Sequence, residues 1–355
     1  MPKYQNAGSM TLDFATIGGA RAGVPMTMDA NGIASGQAFL ESELEKKDTL
    51  LKEPLSSVTY PRDVNIRVGG GFDEFVSSVS VDYGVTGGSG DGIIGAGAAD
   101  GVPMIQANFD KDLFKTHLVT LGSRIFWVDM QRGNITGRSI ETVLRDGVRL
   151  AYDKHMDANL YVGFTKLGTT GLVNNAGVTA ITAALGGGGT TDWASKTADE
   201  ILADINGAII DVWNAAGNDL DAIPNHILLP YKQYNQLVST KVSSAADKSV
   251  LQYLLDNNIA KQYGVDLFIG ATNFCSGAGT GSTDRMVVYV NKERFVAMDE
   301  LSPLNRAMTT PNAEKFSYDT VYAANVSEAE LFYLETAEFQ IILLQVRDFN
   351  FIFYN

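Results

Sequence analysis

The residues of this 355-residue chain that could do chemistry are few and scattered. Gly90-Asp-Gly92-Ile-Ile-Gly95 has the spelling of a dinucleotide-binding turn, in which the last glycine must open a helix whose N-terminus meets a pyrophosphate. Gly97, Gly101 and Pro103 follow too closely for such a helix, so no nucleotide cofactor is expected. His117, His155 and His226 have no carboxylate or cysteine at metal-ligand spacing and read as structural residues. The single cysteine, Cys275, excludes an internal disulfide framework and a multi-cysteine metal site, and reads as a small buried hydrophobe. A nucleophile elbow, a phosphate loop, an H-E-x-x-H helix and a calcium loop are all missing from the sequence. Carboxylate pairs such as Asp110/Asp112 and Glu328/Glu330 are what an acidic chain supplies by chance. Asn134-Ile-Thr136 and Asn325-Val-Ser327 match glycosylation acceptors, but no secretion signal gives them meaning. No catalytic, cofactor-binding or metal-binding residue is therefore assigned, and no enzymatic activity is expected.

Composition narrows the classes further. With 45% hydrophobic residues the chain can bury a large core or two to three packed units. Its longest apolar runs, Val178–Leu185 and Ile341–Leu344, are far short of a membrane span. Met1-Pro-Lys-Tyr does not begin a signal peptide, so a soluble protein made in the cytoplasm is expected. Forty-one acidic against 27 basic side chains give a net charge of −14, with no basic run longer than Lys46–Lys47. Phosphate-gripping proteins need clustered cations, so specific nucleic-acid binding is not expected. The 36 glycines point to long irregular loops.

The elements available to position any site are clearer than the site. Ser139–Val162 reads as a long helix, with Ser139 as N-cap, Glu141 in the first turn and Gly163 at the end. Its expected apolar stripe is Ile140, Val143, Leu144, Val148, Ala151 and Leu160, and Arg145, Asp146, Arg149, Asp153 and Lys154 occupy much of the rest. Before it, Val79, Val81 and Tyr83 alternate with Ser78, Ser80 and Asp82, and Ile105, Ala107 and Phe109 alternate with Gln106, Asn108 and Asp110. Between these arms lie eight glycines in residues 84–101, the makings of a hairpin with a long tip, and Leu118–Val128 reads as a further strand. The glycine-punctuated residues 1–36 lack any sustained period, and residues 37–52 read as a short helix that Pro54 stops. After the long helix come a Gly/Thr-rich linker at 183–191 and Thr197-Ala-Asp-Glu200, a capping box opening a helix with the stripe Ile201, Ile205, Ala208, Ile209, Val212 and Trp213. His226–Leu229, Val265–Ile269, Met286–Val290, Phe339–Leu344 and Phe349–Tyr354 read as strands, and Tyr231–Val238 and Ser249–Asn257 as short helices.

Val102–Pro103, the strand-like Ile125–Asp129, the helix Ser139–Val162, the turn Gly171-Leu-Val-Asn-Asn175 and Val178-Thr179 form a recognisable series. Trp193, the helix Glu200–Trp213, Ile227-Leu-Leu-Pro230 and Met286–Tyr289 extend it. Taken in this order the chain resembles the major capsid proteins of tailed double-stranded DNA bacteriophages, whose fold is shared with encapsulins and the herpesvirus capsid floor. The resemblance covers residues 57–300 and rests on element order more than on any one motif.

It implies an α+β fold with an N-terminal arm (1–56), an extended hairpin or E-loop (57–116) and a peripheral domain (117–190) containing the spine helix (139–162). An axial domain (191–318) and a return to the peripheral domain (319–355) complete it. It further implies self-assembly through pentamers and hexamers into an icosahedral shell around double-stranded DNA, held without sequence-specific contacts and without a cofactor. A portal and possible decoration proteins would join it in the virion, assembled in the host bacterial cytoplasm, with no membrane partner. Only 56 residues precede the hairpin, too few for a fused scaffolding extension, so a separate scaffolding protein is expected. The hairpin tip between Tyr83 and Asp110 has no lysine, so the cross-link that some relatives form there is not expected. Phe39, Leu40 and Leu44 on the arm and Ile93 and Ile94 near the tip are the expected intersubunit anchors, and Arg145 and Arg149 are expected to pair with a neighbour. The other readings are an encapsulin-type compartment subunit and a β-rich fibre or decoration protein.

Overall fold

The computed structural model describes residues 10–12, 26–28, 57–86, 104–136, 139–243 and 247–342. The chain divides into two units, residues 1–55 and 56–355. Within the first, β1 (Met10–Leu12) pairs antiparallel with β2 (Met26–Met28), an order that the aperiodic sequence did not announce. The helix expected at 37–52, the glycine-rich tip and the strand expected at 349–354 lie outside the described residues.

The second unit is built on two sheets and a long helix. A single turn, α1 (Tyr60–Asp63), leads into β3 (Asn65–Val68) and then β4 (Phe75–Thr86). β5 (Met104–Phe126) is one continuous 23-residue strand where the sequence suggested two. It changes partners midway: Met104–Lys115 pairs with β4, whereas Thr116–Phe126 pairs with a later strand, β11 (Ser317–Ser327). Strand character stops at Phe126, because α2 (Trp127–Thr136) begins there, docked by Trp127 N–H donating to Phe316 O and by its ring lying 5.2 Å from the Phe316 ring. The strand expected to reach Val128 is therefore two residues too long.

The long helix forms as expected: α3 (Ile140–Val162), with the Ser139 hydroxyl accepting from Thr142 N–H and Gly163 at the C-cap with φ +81°. At 23 residues it spans roughly 35 Å. Its buried face differs from the aliphatic stripe. Val148 and Leu160 are buried, but Val143 and Ala151 are exposed, and the contact to the body is made by Tyr152, Met156, Asp157, Asn159 and Tyr161. Polar groups occupy this face because each finds a partner: Tyr152 Oη donates to Glu300 Oε1 at 2.7 Å, and Asn159 Nδ2 to Ser327 O at 3.0 Å.

Asp157 Oδ1 accepts from both Thr59 and Tyr60 N–H at 2.9 Å, capping the start of α1. Asp63, at the end of α1, is fully buried. Arg62 Nε and Nη2 fork onto its carboxylate at 2.6 and 2.8 Å, Tyr161 Oη donates to it, and Tyr289 Oη donates to its carbonyl at 2.5 Å. Burial raises this carboxyl, but His226, Arg62 and Tyr161 together more than reverse that and hold it below the ordinary carboxylate range.

After α3 the chain turns back on itself. Leu172 and Val173 N–H donate to Leu160 O and Tyr161 O at 2.8 and 2.9 Å, and Asn174 Nδ2 donates to Val162 O at 2.9 Å, so this turn satisfies the last helix carbonyls. Gly171 is required here: a Cβ would lie within 2.6 Å of the backbone of Leu160, Tyr161 and Val162.

The second sheet runs β6 (Thr179–Thr182), β13 (Ala337–Ile342), β9 (Asp284–Tyr289), β7 (His226–Leu229) and β8 (Phe268–Ala271) in space. Alternating residues feed two cores. Val287, Tyr289 and Phe339 join the spine-helix core, while Met286, Val288 and Ile342 pack under α4 (Ala198–Ala215), α5 (Tyr231–Ser239), α6 (Val250–Asn257) and α7 (Ile259–Gln262). The α4 capping box is present, and Glu200 also accepts from Gly187 N–H at 2.7 Å, tying down the Gly/Thr-rich loop.

β10 (Val296–Asn312) completes the first sheet, between β3, β12 (Glu330–Leu331) and β11. It was unread in the sequence because Pro303 and Pro311 argue against a strand. The register breaks between Ser302 and Asn305, which places Pro303 where no ladder bond is needed.

Replacing Gly171 with Ala is expected to destabilise the subunit by about 3 kcal/mol or more, since rigid backbone surrounds the added methyl. The same change at Gly217, whose φ is +70° with open space around it, should cost only about 1 kcal/mol. Denaturant unfolding of the two variants checks the difference.

Candidate assembly surfaces

Among the described residues no group of three His, Cys, Asp or Glu side chains could hold a metal, and Cys275 is buried, its thiol pushed up by burial. No described helix is long and apolar enough to cross a membrane. What the fold presents instead is surface of an unusual kind.

Among the described residues the distal ribbon of β4 and β5 has no further strand on either side. Directly paired residues share a face, so Phe75↔Lys115, Ser77↔Leu113, Val79↔Lys111, Val81↔Phe109, Tyr83↔Ala107 and Val85↔Ile105 gather on one side, apolar but for Ser77 and the two lysines toward the base. Ser78↔Asp112, Ser80↔Asp110, Asp82↔Asn108 and Gly84↔Gln106 gather on the other, with Val76↔Phe114 at the base, where Phe114 meets Phe332, and Thr86↔Met104 at the far end. The ribbon is thus two-faced, and its apolar face lies open: Tyr83 is 71% exposed, Ile105 73% and Phe109 73%. In the proximal half of β5 the same odd-numbered series continues as Val119 and Leu121, which pack into the spine-helix core. Lys111, Lys115 and His117 on the same series separate this covered stretch from the open apolar stretch of the ribbon.

The base of the ribbon is fixed. Arg67 on β3 donates through Nε to Asp299 at 2.5 Å and through Nη2 to Glu330 at 2.6 Å, and its guanidinium lies 5.4 Å from the Phe332 ring centre. The turn into β4 is Gly69-Gly70-Gly71, all at positive φ. Gly69 and Gly71 N–H donate to Glu300 O and Leu301 O, and Asn325 Nδ2 donates to the Gly71 and Asp73 carbonyls. Burial, reinforced by Asp299 and opposed by Ser327 and Arg67, pushes the Glu330 carboxyl up to about 7.

A second surface lies along the N-terminal half of α3, where a cleft of about 660 Å³ opens against Glu300–Arg306. Arg145 and Arg149 both line it, with Asp146, Asp153, Tyr60 and Tyr152. Among the described residues Arg145 makes a single long contact, to Asp146 at 3.8 Å, with both side chains more than half exposed. Such a pair contributes little by itself. The structure therefore brings together the two arginines singled out from sequence. Phe39, Leu40, Leu44, Ile93 and Ile94 lie outside the described residues. The ribbon residues were seen in the sequence only as strand formers. The missing step was the pairing register, which alone shows that both sets face the same way.

A long two-stranded ribbon, a spine helix beneath its base and a helix-covered second sheet define the capsid-shell fold. Similar solved structures include the capsid of Myoviridae phage XM1, with TM-score 0.69 and 17% identity, covering 85% of this chain and 98% of that chain. A chain from Microbacterium phage Oxtober96 has TM-score 0.59 and 14% identity over 87% and 98%. The capsid of a native GTA particle has TM-score 0.60 and 11% identity over 84% and 95%. No curated protein sequence matches. The family described as major capsid protein matches residues 90–339, and the chain belongs to it. It is a structural subunit of a phage capsid shell, which sets aside the compartment and fibre readings.

Glu330 holds its proton to about pH 7 when folded, against an ordinary value of 4.5. Its contribution to stability is thus full below the unfolded value and lost as pH rises through 7. Glu338, raised by burial and by Asp211 to about 7, acts with the same sign. His117 and His155, whose imidazoles burial lowers, act with the opposite sign in the same window. Relative to the wild type, the Glu330→Gln subunit should therefore lose less stability between pH 5.5 and 8 in a pH series of thermal unfolding.

Proposed function

We propose that this subunit closes into pentamers and hexamers of an icosahedral shell enclosing double-stranded DNA, with the β4–β5 ribbon laid over a neighbouring subunit. The observation that carries the reading is the ribbon's open apolar face. An apolar strip of this length is costly in water and is stabilised only when another surface covers it. The repeated neighbour in a shell is another copy of the same chain, meeting it through heterologous, ring-closing contacts.

The cleft holding Arg145 and Arg149 is the second contact of this proposal, receiving acidic or arm residues from the neighbour. Phe39, Leu40, Leu44, Ile93 and Ile94 remain its anchor residues. The arm at 1–56, hairpin at 57–116, peripheral domain at 117–190, axial domain at 191–318 and return at 319–355 are its functional divisions. Residue 318 lies in β11, whose ladder to β10 crosses that point, so the last division falls within a hairpin. The net charge of −14 suits a wall that encloses DNA without gripping its sequence. A separate scaffolding protein, a portal and possible decoration proteins complete the virion, assembled in the host bacterial cytoplasm. The subunit's part in this is structural rather than enzymatic.

Val81→Asp and Phe109→Asp test the reading. Both side chains are exposed in the subunit, so each variant should unfold within about 0.5 kcal/mol of the wild type. Neither should form particles under conditions where the wild type does, as judged by negative-stain imaging and light scattering. Particles of normal size from both variants would overturn the ribbon contact.

A further inference from the structure

Glu338 sits on β13, between Thr179 of β6 and Val288 of β9. It shares a sheet face with Ile342, the face that packs under α4. It is only 4% exposed, yet its Oε1 has no hydrogen-bond partner among the described residues. Two residues along the same face, the buried Gln340 also leaves Oε1 unpartnered. No lysine or arginine lines the pocket of about 450 Å³ that Glu338 helps to form; the other charged residues there are Asp211 and Glu335. A buried carboxylate left unpaired beside like charge is an expensive arrangement, and it is retained where something outside supplies the missing partner.

We propose that this pocket receives a lysine or arginine side chain from a second copy of the chain, which completes an ion pair with Glu338 only on assembly. The pocket's apolar walls, Ile181, Val212, Ala215 and Leu334, suit the aliphatic stem of such a residue. The carboxyl groups of Glu338, Asp211 and Glu335 that also line it suit the charged head. A metal ion fits poorly, since no described group of three acidic, His or Cys side chains could hold one. The pocket adjoins β6, which ends its sheet and has all four residues exposed, so an approaching chain has room. A second copy is the partner because the family builds its shells from this chain, and the inference rests on that reading.

Glu338→Gln separates an assembly role from a folding role. At pH 8, above the value of about 7 to which burial and Asp211 raise the Glu338 carboxyl, the unassembled variant should melt at the wild-type temperature or above it, because an uncompensated buried charge has gone. The subunit concentration needed for particle formation should rise by roughly tenfold or more. Asp211→Lys, which places a cation beside the pocket within the same subunit, should likewise raise the subunit's melting temperature and impair assembly. Assembly of either variant at the wild-type concentration would overturn the proposal. So would a parallel loss of subunit and particle stability in Glu338→Gln. Failure of the wild-type chain to form particles would instead count against the shell reading itself.

Discussion

The buried carboxylate of Asp63 is the interaction on which the rest of the subunit depends. A charge taken out of water must be matched by fixed donors, and those donors come from separate parts of the chain: Arg62 beside it and Tyr161 on α3. Tyr289 on β9 holds the same residue by its carbonyl, and Tyr161 in turn stacks on Phe274 at 4.9 Å. With Asp157 gripping the start of α1, the segment that leads to the ribbon is fastened to the spine helix at both ends. The angle between ribbon base, helix and second sheet is therefore set by directional bonds. Apolar packing alone would tolerate sliding.

This rigidity makes sense beside the ribbon's incompleteness. Much of the body is closed internally: helix carbonyls are closed by the Gly171 turn, β10 accommodates Pro303 at a break in register, and the central strands β13, β9 and β7 of the second sheet carry core on both faces, with β6 left open at its edge. The apolar face of β4 and β5 lies exposed among the described residues. Keeping one part over-determined and another unfinished lets association be driven by burial while geometry is dictated by the body.

Where local chemistry decides structure, the sequence could be read directly. Ser139 and Thr197 cap the helices they were expected to cap, and the turn after α3 forms at Gly171–Asn175. The two arginines of the cleft could be picked out because a charged face on a long helix is visible as periodicity. Where distant partners decide, it could not. Tyr152, Asp157, Asn159 and Tyr161 look like a solvated face until Glu300, Thr59, Ser327 and Asp63 are brought to them. β10 was hidden by its prolines and α2 by the strand-like residues before it. Glu338 looked like any acid in an acidic chain, since nothing in its neighbours along the sequence marks it as buried without a partner.

The three glycines at the ribbon's base carry a mechanical meaning. A 12-residue strand such as β4 extends roughly 40 Å from that turn. Geometry multiplies angle into displacement along such an arm, so a tilt of about 5° at the base moves the far end by about 3 Å over that rise. Arg67, Asn325 and the Glu300 and Leu301 carbonyls thus act as the fulcrum of a lever, and the precision with which they hold Gly69–Gly71 sets how accurately each subunit reaches the next.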